Sequence, residues 1–171
     1  MATIDEVVKM WDEKHPEMQT EVLKTQKGTN YNKRYPNGKS GHIGKIERVP
    51  NVDKAKADHA FIKLSDKLDF KKAYYLFDFF HNGHPDSFIV KFQIEKVFFN
   101  GNEDKYNAFY KFLDTDFNRK GIKGINFILE KNSAIKLYTS ISESSKADSF
   151  CETMEQLIEL TKKKICDFLE D

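Results

Sequence analysis

The stretch AYYLFDFFHNGHPDSFIVKFQIEKVFF (Ala73–Phe99) decides how the chain is read. It holds two runs rich in aromatic and β-branched residues, and such runs read as strands. Between them lies Asn82-Gly83, the strongest short hairpin signal, because a type I′ turn needs positive φ at both central residues. Pairing outward from that turn sets His81 opposite His84, Phe79 opposite Asp86, Phe77 opposite Phe88, Leu76 opposite Ile89 and Tyr75 opposite Val90. Apolar residues then meet apolar residues, so this register is self-consistent.

The same register puts His81, His84 and Asp86 on one face of the hairpin tip, with the histidine Cα atoms about 5.5 Å apart. Two imidazoles and a carboxylate from one tip suit Zn²⁺ or a similar divalent metal. Residues 81–86 are therefore the candidate metal or acid–base site. Polar residues at a solvated hairpin tip also need no ligand, and on that reading the sequence calls for no cofactor.

Outward from the hairpin, Asn102 caps a helix carrying Tyr106, Phe109, Leu113 and Phe117, and Glu103 and Asp104 suit its positive end. GINFILEK (124–131) and AIKLYTSIS (134–142) read as a second strand pair. Ser149-x-x-Glu152 is a capping box before a helix with Phe150, Met154, Leu157, Ile158, Thr161, Ile165 and Phe168 on one side. Residues 73–169 thus run in ββαββα order, which an antiparallel sheet packed on helices satisfies.

Toward the N-terminus, Thr3-x-x-Glu6 opens a helix with Ile4, Val7, Val8 and Trp11 at helical spacing. Trp11 reads as a core or interface anchor. Pro16 opens a second helical piece with Met18 and Val22 inward, or else kinks a single helix. Residues 24–48 read as one long basic loop containing glycine, with a short strand over 42–49 stopped by Pro50. Ala57, Ala60, Phe61, Leu64 and Leu68 recur every three or four residues, which predicts another helix. The expectation is one α+β domain over residues 1–171: an antiparallel sheet of two or more hairpins, packed on helices, with a helical N-terminal segment.

With 171 residues, 15 phenylalanines and 7 tyrosines, a compact core needs no staples. The formal net charge of +1 argues against a globally basic nucleic-acid binder and against an acidic disordered chain. Cys151 and Cys166 fall in one predicted helix, about 22 Å apart at 1.5 Å per residue, beyond the reach of a disulfide. That suits a reducing, cytoplasmic setting. The first residues lack a signal-peptide apolar region, and no run approaches the length of a membrane helix.

The long loop is where the charge concentrates. Lys24, Lys27, Lys33, Arg34, Lys39, Lys45 and Arg48 face a single acid, Glu47, for a local charge of +6. Tyr31 and Tyr35 lie among them. Cations that neutralise phosphates beside aromatics that stack on bases are what a nucleic acid requires. No phosphate-binding glycine motif and no G-x-S-x-G occurs. Glu95 and Lys96 are adjacent and alternate faces, so they do not form the acid–lysine pair of a metal-dependent nuclease. Cys151 lies near a predicted helix start, where the dipole can lower a thiol pKa, although ordinary packing is the commoner role of a cysteine there.

The expected function is a non-enzymatic binding module that engages nucleic acid or another polyanion through Lys24, Lys27, Lys33, Arg34, Lys39, Lys45, Tyr31 and Tyr35. The alternatives are a protein–protein module, such as an inhibitor or assembly subunit with an acidic or aromatic-compatible partner, and a small metal-dependent enzyme centred on His81, His84 and Asp86.

Overall fold

The computed structural model describes residues 2–18, 20–27, 32–33, 47–48, 54–79, 88–117, 124–142 and 144–170; for 21–27, 32–33, 47–48 and 54–59 it describes the backbone alone. Along the chain these form α1 (Ile4–Lys14), β1 (Thr20–Lys27), β2 (Asn32–Lys33), β3 (Glu47–Arg48), β4 (Lys54–Lys63), β5 (Ala73–Asp78), β6 (Phe88–Glu95), α2 (Glu103–Asp116), β7 (Ile128–Lys131), β8 (Ala134–Ile141) and α3 (Ala147–Leu169). Six strands form one antiparallel sheet in the order β1-β4-β5-β6-β8-β7, and β2 pairs with β3 in a separate ribbon. The chain is α+β, with an antiparallel sheet, helices packed against it and a helix at its N-terminal end, as its patterning predicts.

One sheet face meets the helices. Ala60, Ile62, Tyr75, Phe77, Val90, Phe92, Ile94, Ile135 and Leu137 alternate along their strands and pack with the buried stripes of α1, α2 and α3. Trp11 is fully buried, edge-on to Phe77 with ring centroids 5.6 Å apart. Phe109 meets Phe92 at 6.0 Å, and Phe150 meets Phe79 at 5.0 Å. One polar link crosses this layer. The Thr161 hydroxyl donates to Leu157 O at 2.6 Å, so the Tyr75 hydroxyl donates to Thr161 Oγ1 at 2.9 Å.

Local signals hold at two helix starts. Thr3 Oγ1 accepts from Glu6 N, and Asn102 Oδ1 accepts from Lys105 N, each satisfying an otherwise unpaired amide. The third start differs from expectation. α3 begins at Ala147, so Ser149 lies inside the helix, and its amide donates to Asp148 Oδ1. At the other end Phe168 is 37% exposed and leaves the buried stripe to stack on Phe112 at 4.8 Å.

One predicted helix is shorter than expected and another is a strand. After α1, Pro16 opens a helical piece as expected, but it is a single 3-10 turn over Pro16–Met18, and Val22 lies in β1. The Trp11 indole donates to Met18 O at 2.8 Å, and Asp12 Oδ1 accepts from Thr20 N at 2.8 Å. These two bonds fasten the reversal to α1. The predicted helix with Ala57, Ala60, Phe61, Leu64 and Leu68 is β4 and the turn after it. Ala60, Ile62 and Leu64 belong to the helix-side core, whereas Phe61 packs on the opposite face with Tyr74 and Leu76. A strand buried on both faces carries an unbroken apolar run, and such a run fits a helical spacing as well as a strand. Lys24–Lys27, read as the start of a loop, lie in β1; of the strand expected over 42–49, Glu47–Arg48 is paired.

The β5–β6 register also differs. Phe77 pairs with Val90 and Tyr75 with Phe92, two residues away from the pairing that a two-residue Asn82-Gly83 turn extrapolates to. The turn itself lies outside the described residues. A shift of two keeps every side chain on its face, so the core survives it. Removing the large buried Phe109 side chain by Phe109→Ala should cost ~3–5 kcal/mol in urea unfolding, and Phe168→Ala, at the exposed end of α3, well below that.

Candidate functional site on the outer sheet face

The face turned away from the helices is the unusual one. It carries Phe61 from β4, then Tyr74, Leu76 and Asp78 from β5, then Ile89, Lys91, Gln93 and Glu95 from β6. β8 adds Lys136 and Tyr138, and β7 adds Ile128 and Glu130. Phe61, Tyr74, Leu76 and Ile89 are buried there, and so are Asp78, Lys91 and Glu95. β5 is buried at every position. Charged groups in such surroundings must be paired, because an isolated buried charge costs several kcal/mol.

The strand register supplies the pairs. Lys91 lies opposite Leu76, which makes it the diagonal neighbour of Asp78. Lys91 Nζ donates to Asp78 Oδ2 at 3.0 Å, with the two side chains 6% and 3% exposed. Glu95 Oε1 accepts from the Tyr74 hydroxyl at 2.9 Å and from Gln93 Nε2 at 2.7 Å. Tyr138 donates its hydroxyl to Glu130 Oε1. Burial raises the phenol pKa of Tyr74 well above its ordinary value, and the Glu95 carboxylate adds to the effect. Burial likewise raises Tyr138, reinforced by its hydrogen bond to Glu130. Both phenols are therefore donors throughout the neutral range.

Lys136 is the cation left over. It sits half-buried on β8, opposite Gln93 of β6 and Glu130 of β7. Burial lowers its ammonium pKa first and Lys91 lowers it further, while Glu130, Asp78 and Glu95 oppose the shift.

None of the described residues singled out from sequence as a binding or metal site belongs to this network. His81, His84 and Asp86 lie outside the described residues, as do Arg34, Lys39, Lys45, Tyr31 and Tyr35. Among the described residues no group of three or more His, Cys, Asp or Glu is placed to hold a metal ion. Lys24 and Lys27 lie on β1, Lys33 on β2 and Arg48 on β3. Pairing brings two further lysines to them. Lys27 stands opposite Lys54, and Thr25 opposite Lys56. Among the described residues β4 pairs with β5 only from His59 to Lys63, so Lys54–Ala57 continue as a two-stranded ribbon with β1. Lys54 and Lys56 were hidden by the helical reading of that segment. Lys91 and Lys136 did leave a signal: each interrupts an apolar strand run, IVKFQI and AIKLY.

Cys151 and Cys166 are both free and both in α3. Cys151 is buried, with Sγ 3.7 Å from Val7 O, and burial pushes its thiol up to about 11. Cys151 therefore packs as an ordinary core residue, and burial outweighs the lowering that a helix start can exert on a thiol. Among the described residues no helix is long and apolar enough to cross a membrane. Compared with known proteins, the chain matches no protein-family model, no curated protein and no solved structure.

Two outcomes follow from this geometry. Lys91→Met removes the ammonium that pairs with the buried Asp78 carboxylate and should cost ~3–5 kcal/mol in urea unfolding, and Asp78→Leu/Lys91→Met should recover a large part of that deficit. The unfolded Cys151 thiol ionises near 9 while the folded one holds its proton to about 11. Folding stability should therefore decline as pH rises through that window, and a Cys151→Ala variant should show a shallower decline in pH-dependent unfolding.

Proposed function

We propose that the protein is a cytoplasmic, non-enzymatic binding module that engages single-stranded nucleic acid, or a polyanion of like charge spacing, through the β1–β4 ribbon and the basic segment it encloses. The observation that carries this reading is the pairing of Lys27 with Lys54 in the ladder, with Lys56 two residues further along β4. Cross-strand partners share a face, so positions 27, 54 and 56 fall on one face of the ribbon. Like charges directly opposite each other destabilise a sheet. A line of phosphates turns that repulsion into attraction and releases counterions.

The separate ribbon adds to it. Asn32 pairs with Arg48 and Lys33 with Glu47, and β2 lies beside β1. Tyr31 and Tyr35 flank this ribbon in sequence and supply rings of the kind that stack on bases. The free thiols of α3 support the reducing setting.

The test is fluorescence anisotropy with a labelled single-stranded oligonucleotide at salt concentrations from about 50 to about 200 mM. Wild-type binding should weaken steeply with salt, and Lys27→Ala/Lys54→Ala/Lys56→Ala should reduce the logarithmic salt slope by ~0.7 for each phosphate that the variant no longer neutralises. Affinity and slope unchanged in the triple variant, or binding indifferent to salt, would contradict the proposal.

A further inference from the structure

Lys136 lies on β8, towards the end of the sheet opposite the β1–β4 ribbon. Register places it opposite Gln93 and Glu130, with Lys91 and Glu95 as its diagonal neighbours on β6. Each acid around it already accepts from another donor. Asp78 holds Lys91, Glu95 holds Tyr74 and Gln93, and Glu130 holds Tyr138. Lys136 itself forms no hydrogen bond or ion pair among the described residues. The chain thus keeps a half-buried primary amine within a polar lattice whose carboxylates are otherwise occupied.

We propose that Lys136 is a nucleophilic amine that condenses with the carbonyl of a small aldehyde at this face. The Nζ lone pair attacks the carbonyl carbon, and an N–C bond forms. The carbonyl oxygen leaves with two protons as water, and an imine remains. No electrons are exchanged, so no oxidant or reductant is needed. Glu130, opposite Lys136 and hydrogen-bonded by Tyr138, is the acid–base group available to pass the proton to the departing oxygen. Burial and the Lys91 ammonium favour the neutral, reactive form of the amine. Tyr74, Asp78 and Glu95 complete the titratable groups that face it.

The probe is pyridoxal, an aldehyde without a phosphate to draw it to the basic ribbon. The full-length protein is treated with limiting pyridoxal at neutral pH, the imine is trapped with sodium borohydride, and modified lysines are located by peptide mass spectrometry. Lys136 should carry label several-fold above the exposed Lys105 and Lys111 of α2. Lys136→Arg should abolish that label and keep the others. Glu130→Gln should slow labelling at position 136 and leave Lys105 unchanged, which a merely structural role for Glu130 does not predict. Label on Lys136 at or below the level of Lys105 and Lys111 would overturn the proposal, and so would undiminished labelling of Lys136 in Glu130→Gln.

Discussion

The ion pair between Asp78 and Lys91 fixes how the middle of the sheet is assembled. Both groups are almost wholly buried, so neither tolerates solitude. In the observed register Lys91 is the diagonal neighbour of Asp78. The register extrapolated from a two-residue turn would set Lys91 opposite Tyr74, four residues along β5 from Asp78, or about 13 Å at the rise of a strand. The pair could not form there. Apolar alternation is indifferent between the two registers, because both preserve the faces. The buried charges are not, and they supply the discrimination that apolar burial lacks.

That constraint spreads across the outer face. Once β5 and β6 are locked, β8 pairs with β6 along its whole length, from Phe88↔Ile141 to Glu95↔Ala134. This brings Lys136 against Gln93 and sets Tyr138 opposite Lys91. β7 then delivers Glu130 opposite Lys136. The Tyr74–Glu95–Gln93 and Tyr138–Glu130 bonds are consequences of the same lattice, and they occupy the acids that Lys136 would otherwise engage. On the helix side the core is conventional, with aromatic rings meeting edge-on or tilted at 5–6 Å.

Much of this architecture is legible in the sequence. The caps at Thr3 and Asn102 mark α1 and α2, the stripe from Phe150 to Ile165 marks α3, and the aromatic runs mark β5 and β6. What misleads is burial on both faces. Ala60-Phe61-Ile62 followed by Leu64 satisfies a helix as readily as a strand, and the alanines in the segment add helical propensity. Only pairing with β5 decides it. A helical reading conceals the lysines at positions 54 and 56, and with them the basic ribbon they complete. The significance of Lys91 and Lys136 is likewise out of reach of the sequence, because it depends on which acids stand diagonally across neighbouring strands. A charged residue inside an apolar strand run is the local trace such an arrangement leaves.

Two kinds of positive charge therefore coexist in one sheet. At the β1–β4 end Lys27 stands opposite Lys54, the arrangement on which the proposed polyanion binding rests. At the β6–β8–β7 end one lysine is shielded among satisfied carboxylates, an arrangement suited to amine chemistry. The central claim is that the outer face leaves Lys136 without a committed partner beside the Lys91 ammonium. Following the Lys136 side-chain resonances by NMR as pH is raised tests it most directly. The account predicts a titration midpoint clearly below the ordinary lysine value of about 10.4. A midpoint at or above that value would show an engaged, stabilised ammonium and contradict the account.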